Sequence, residues 1–106
     1  MIKDQIREAA TKRLLFLQHA IRQMNRPERM ITEAEVNEVV LLGTVIEDYP
    51  ADVRGHSCLM ASEAAAGRTV HIVCSPKDEY LAIITAYIPD PTEWDETGRK
   101  RRSDTQ

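Results

Sequence analysis

An α+β domain, with two N-terminal helices packed on a four-stranded antiparallel sheet, is the fold class the sequence predicts. Three observations carry it. Ile6, Ala10, Leu14, Leu17, Ile21 and Met24 recur at spacings of three and four, the stripe of an amphipathic helix. Thr32-Glu33-Ala34-Glu35 has the spacing of a capping box, in which the threonine hydroxyl and the third-position glutamate each satisfy an orphan amide. After Gly43 the pattern changes to short β-rich runs separated by polar turns.

The first helix is expected from Ile2 to Met24, with Leu15 and Phe16 widening its stripe and His19 on its flank. Asn25-Arg26-Pro27 ends it, because the residue before a proline is pushed out of helical geometry. The second helix starts at Thr32, buries Val36, Val39 and Val40, and stops at Gly43. Strands are expected at Thr44–Asp48, His56–Ser62, Thr69–Ser75 and Tyr80–Ile88. In the Glu63–Gly67 connection, Gly67 supplies a positive φ. The Pro76–Glu79 turn makes the last two strands an antiparallel hairpin. Pro89-Asp90-Pro91 stops the last strand, and Trp94 folds back on the body. Residues 1–94 therefore read as one domain and 95–106 as a flexible basic tail.

Side chains alternate between the faces of each strand. His71 and Val73 share one face of their strand, opposite Val70, Ile72 and Cys74. Leu81, Ile83, Thr85 and Tyr87 are expected to share a face of the next. Neighbouring strands thus offer a histidine, a threonine and a tyrosine at the sheet centre.

With 106 residues, 42% hydrophobic and 29% charged, the chain has material for one modest core. It has no apolar run approaching the roughly 20 residues of a membrane span, and its first residues do not resemble a secretory signal. A cytoplasmic location is expected. Cys58 and Cys74 fit no Cys-x-x-Cys spacing and read as reduced, buried thiols; no metal or cofactor is implied. The net charge of −3 is uneven: Arg22, Arg26 and Arg29 cluster against one glutamate, and Arg99-Lys100-Arg101-Arg102 lie near the end. That balance neither demands nor excludes RNA. No hydrolase-triad order or zinc-protease spacing is present.

An ordered set of short pieces resembles a family of small bacterial proteins catalogued as domain of unknown function four-two-five-eight. The pieces are His19-Ala20 and Met24; Arg29 before Ile31-Thr32; Glu35-Val36; and Gly43-x-Val45-Ile46-Glu47-x-Tyr49-Pro50. Ser57-Cys58-Leu59, Arg68-x-Val70-His71-Ile72-Val73, Ile83-Ile84-Thr85-Ala86-Tyr87-x-Pro89-Asp90 and Trp94 complete it. The resemblance implies a fold of RelE/BrnT type and the toxin role of a bacterial toxin–antitoxin pair. It also implies a zinc-finger or helix-turn-helix antitoxin as protein partner and RNA as target. Two departures are visible: Gln23 stands where the family commonly has arginine, and two extra residues lie near Arg26-Pro27.

Metal-free RNA cleavage needs a base, a cation at the phosphate and an acid for the leaving oxygen. His19 and His71 are the candidates for base and acid. Arg29, with Arg22 or Arg26 as RNA-binding cations, is the candidate phosphate clamp, and Thr85 and Tyr87 are candidate hydrogen-bond donors. Each also has a plainer reading: His71 as a mid-sheet histidine satisfied by a backbone or hydroxyl partner, the arginines as a solvated turn, Thr85 and Tyr87 as strand formers. A non-catalytic protein-interaction module is the alternative. A catalyst should gather these side chains in one open cleft; a module should disperse or bury them and show an apolar groove elsewhere.

Overall fold

The N-terminal apolar stripe is interrupted at Arg13, whose backbone is extended (φ −176°, ψ 161°). The computed structural model describes residues 1–63 and 67–102, and in it the expected single helix is three elements. These are α1 (Ile2–Lys12), β1 (Leu14–Phe16) and α2 (Gln18–Met24). Leu14-Leu15-Phe16-Leu17 is four apolar residues in a row, which leaves a helix no polar side to turn to solvent. As a strand, the segment half-buries its side chains and gains sheet hydrogen bonds, from Leu81 N–H to the Arg13 carbonyl (2.9 Å) and from Leu17 N–H to the Ile83 carbonyl (3.0 Å).

Then come α3 (Glu33–Leu42), β2 (Thr44–Tyr49), β3 (Ser57–Glu63), β4 (Thr69–Pro76) and β5 (Leu81–Tyr87). The α+β class holds, but the sheet is five-stranded and mixed, in the order β1-β5-β4-β3-β2. The β2–β3, β3–β4 and β4–β5 pairs are antiparallel; the added β1 runs parallel to β5. Parts of the Glu63–Gly67 connection lie outside the described residues, though Gly67 has its expected positive φ (83°).

The capping box at α3 forms with both hydrogen bonds, Glu35 N–H to Thr32 Oγ1 (3.1 Å) and Thr32 N–H to Glu35 Oε1 (2.9 Å). At the other end Gly43 terminates the helix without a left-handed φ. Glycine is needed there for space: a Cβ would lie 2.5 Å from the Val39 carbonyl oxygen and 2.7 Å from that of Ala61. Arg7 of α1 donates to the Val40 and Gly43 carbonyls, satisfying acceptors the helix end leaves open.

All three helices cover one face of the sheet. Ile6 and Ala9, Ala20 and Met24, and Val36, Val39 and Val40 pack on Cys58, Met60, Val70, Ile72, Cys74, Leu81, Ile83 and Ala86. The last two expose a departure from simple alternation. β5 carries a bulge, with Val73 opposite Thr85 but Cys74 opposite Ile83. The extra residue reverses the facing of the residues after it. Leu81 and Ile83 face the helices, whereas Thr85 and Tyr87, expected to share their face, lie on the opposite face with His71.

Candidate functional site

The face without helices carries a cluster centred on His71. It is fully buried and lies directly opposite Tyr87 in the ladder. Its Nε2–H donates to the Gly98 carbonyl (2.5 Å), so Nδ1 is left to accept from the Tyr87 hydroxyl (3.3 Å). Trp94 closes over the ring edge-on, with centroids 4.6 Å apart. Burial lowers the His71 pKa, with the Gly98 carbonyl opposing; the imidazole is held neutral with both nitrogens engaged. Burial likewise raises the Tyr87 pKa.

The chain segment that covers this face includes residues 95–102 of the expected tail; the tail's residues 103–106 lie outside the described residues. Trp94 does fold back, as expected, and is 2% exposed. Beyond it, Arg101 clamps Glu47 through two hydrogen bonds (2.6 and 3.1 Å) and lies 4.6 Å over the Trp94 ring. Arg99 donates to Thr44 Oγ1 (2.8 Å), and the Arg102 N–H donates to the Glu93 carbonyl (2.7 Å). Residues 95–102 are therefore tied to β2 and to the segment before them, because each arginine finds an acceptor there. The Tyr49 hydroxyl donates to the same Glu47 carboxylate. Arg101 holds the Glu47 carboxyl below its ordinary range, while burial and the adjacent carboxylate push Tyr49 up to about 12. Glu47 is thereby a charged acceptor whose oxygens are occupied.

The other candidates lie elsewhere. His19, Arg22 and Arg26 are exposed on α2 and the turn after it, and Arg29 is half-buried in that turn. α2 packs on the helix side of the sheet, so His19 and His71 belong to opposite faces. His19 and Arg22 share a side of α2 by their i, i+3 spacing. Arg26 makes a loose exposed pair with Glu28 (3.5 Å). Tyr87 joins His71; Thr85 shares its face one residue pair away.

The turn that carries Arg29 is held in place by Arg68, immediately before β4. Its guanidinium donates to the Arg29 carbonyl (2.6 Å), the Met30 carbonyl (3.1 Å) and both oxygens of Glu35 (2.9 and 3.1 Å). The bond to Glu35 lowers that carboxyl's pKa. Met30 takes a left-handed backbone (φ 45°), uncommon for a residue with a side chain, and its side chain is 56% exposed. Beside it opens a groove of about 280 Å³ lined by Phe16, Ile21, Met24, Met30 and Ile31, with Asn25, Thr32 and Glu33 at its edge. Ile21 is 45% exposed on its wall.

Glu47, Tyr49, Arg68 and Arg101 were not among the expected site residues. The i, i+2 spacing of Glu47 and Tyr49 is a same-face signal in a strand; nothing local links either to Arg101, which lies 54 residues beyond Glu47. Among the described residues no cluster of three or more His, Cys, Asp or Glu side chains is arranged to hold a metal ion. No helix among them is long and apolar enough to cross a membrane. The family model described as Domain of unknown function (DUF4258) matches residues 16–88, which takes in α2, its turn, the groove and His71 but not the covering segment. No curated protein and no solved structure matches the chain.

Proposed function

From the premise that the chain belongs to the Domain of unknown function (DUF4258) family, we propose that it is a protein-interaction module that works in the cytoplasm. Its recognition surface is the α2 groove, and its partner presents an apolar, acidic segment. The observation that carries this reading is the open groove between α2 and the Arg68-held turn, with Ile21 and Met30 exposed at its walls. Exposed apolar surface flanked by polar groups is the usual mark of a docking site. The flank here is cationic: Arg22 and Arg29 have no ion-pair partner among the described residues, and Arg26 has only its exposed pair with Glu28. Those charges select an acidic partner and speed its approach.

His19 and His71 share no cleft, which supports a module over a catalyst that uses the two histidines together. His71 is sealed beneath Trp94, and His19 lies across the sheet from it. A second reading rests on the exposed ridge of His19, Arg22 and Arg26. In it the chain is a RelE/BrnT-like toxin of a toxin–antitoxin pair that cleaves RNA with His19 and the arginines, and a zinc-finger or helix-turn-helix antitoxin is the partner.

An NMR titration separates the two. The probes are a short peptide alternating glutamate with leucine and a uridine-rich oligoribonucleotide. On the interaction reading the peptide shifts the amides of Phe16, Ile21 and Met30, and Ile21→Glu abolishes the shifts while the fold is kept. On the toxin reading the oligoribonucleotide is cleaved, cleavage is lost in His19→Ala, and induced expression slows bacterial growth. Peptide shifts absent from the groove, or unchanged in Ile21→Glu, would overturn the first reading.

A further inference from the structure

Cys58 on β3 and Cys74 on β4 are direct partners in the antiparallel register. Both side chains enter the helix-side core, and neither is exposed. Directly opposed residues in such a ladder have Cα atoms about 4.5 to 5.5 Å apart, inside the span of about 4.4 to 6.8 Å that a disulfide bridges. Both leave the sheet on the same face, so their sulfurs lie side by side on one rung of the ladder. Both thiols are free in this structure.

We propose that Cys58 and Cys74 form a peroxide-oxidisable dithiol site that closes to a cross-strand disulfide. The Cys58 thiol beside it, and then burial, push the Cys74 thiol well up, while the hydrogen bond with Cys74 lowers that of Cys58, so Cys58 is the sulfur that ionises first. Cys58 also lies next to the sheet edge, opposite the exposed Asp48 of β2. In the first step the Cys58 thiolate attacks one oxygen of the peroxide. An S–O bond forms, the O–O bond breaks, and the hydroxide that leaves takes up the proton Cys58 lost. In the second step Cys74 sulfur attacks the Cys58 sulfenic sulfur. The S–S bond forms, the S–O bond breaks, and the departing hydroxide leaves as water with the Cys74 proton. The two cysteines together lose two electrons and two protons, and hydrogen peroxide is reduced to two waters. This is the first rung of cysteine oxidation, resolved by a neighbouring thiol.

The test treats the folded wild-type chain with hydrogen peroxide, then alkylates under denaturing conditions and reads the intact mass and an unreduced tryptic map. The expected result is a mass lower by two hydrogens and a linked peptide pair containing Cys58 and Cys74. Alkylation falls from both cysteines to neither, and dithiothreitol restores it. In Cys74→Ala the Cys58 sulfenic acid persists and is trapped by dimedone, whereas in Cys58→Ala Cys74 stays alkylatable at the same dose. The wild-type measurement stands whether or not either variant folds. Two alkylatable cysteines after treatment, sulfinic acids without a link, or disulfides only between chains would each overturn the proposal.

Discussion

The sheet face around His71 and the groove beside α2 draw on the same residue types: histidine, arginine and large apolar side chains. They differ in what covers them. The His71 face is filled by the chain's own C-terminal segment, so His71, Tyr87, Glu47 and Arg101 spend their hydrogen-bonding capacity on one another and on Gly98. The groove has a built wall and a restrained turn, yet nothing of the described chain lies in it, and Ile21 and Met30 remain exposed. Residue chemistry alone therefore does not distinguish a site from a structural cluster. A buried polar network that is fully satisfied holds a fold together, whereas exposed apolar surface beside unpaired charge is free to bind.

The contrast between the two regions breaks most readily at Trp94. If the covering segment is structural, Trp94→Ala removes a buried aromatic and should cost about 3–5 kcal/mol in urea denaturation, with peptide binding at the groove unchanged in the folded fraction. A loss below about 1 kcal/mol would mean that the segment is not what closes the His71 face. Arg68 has both characters, since it holds the groove turn while itself being a structural pair. Arg68→Ala removes two charge-assisted bonds from the Glu35 carboxylate, which keeps the Thr32 N–H, and takes the Arg68 donor from two turn carbonyls. It should lower stability by about 1–3 kcal/mol and weaken groove binding in the same protein; stability loss with full binding would show that the turn does not need its clamp.

A pH measurement sharpens the contrast further. The folded His71 pKa is lowered from its ordinary 6.5, so below that pH the unfolded chain binds a proton that the folded chain refuses. Stability should therefore fall as pH drops from 6.5 toward the lower folded value, because the unfolded state then carries more protons. Measured at pH values above the carboxylate range, the slope should vanish in His71→Gln. An unchanged slope would show that His71 is not held neutral. The smallest stability effect belongs to the open side: Arg26→Ala removes an exposed ion pair and should change stability by no more than about 1 kcal/mol. Its effect should appear as weaker, less salt-sensitive binding of the acidic peptide. A larger stability loss would mean that Arg26 is part of the scaffold and not of the recognition surface.

Elements specified by neighbours in the chain are legible in the sequence itself. The Thr32–Glu35 capping box, the stop at Gly43, the β4–β5 antiparallel pairing, the burial of both cysteines and the return of Trp94 all derive from local spacing, turn chemistry or apolar character. So does the family membership, carried by short pieces in order. Three features were decided only in three dimensions. Leu14-Leu15-Phe16 became a parallel edge strand because β5 offered it backbone partners, outweighing a helical stripe that was locally plausible. The β5 bulge turned Tyr87 toward His71, since the core demanded Ile83 and Ala86 on one side and strict alternation supplies only one of them. Arg101 met Glu47 because a covering segment returned across the sheet. Pairings of that kind depend on where distant backbone arrives, and no periodicity within either segment encodes it.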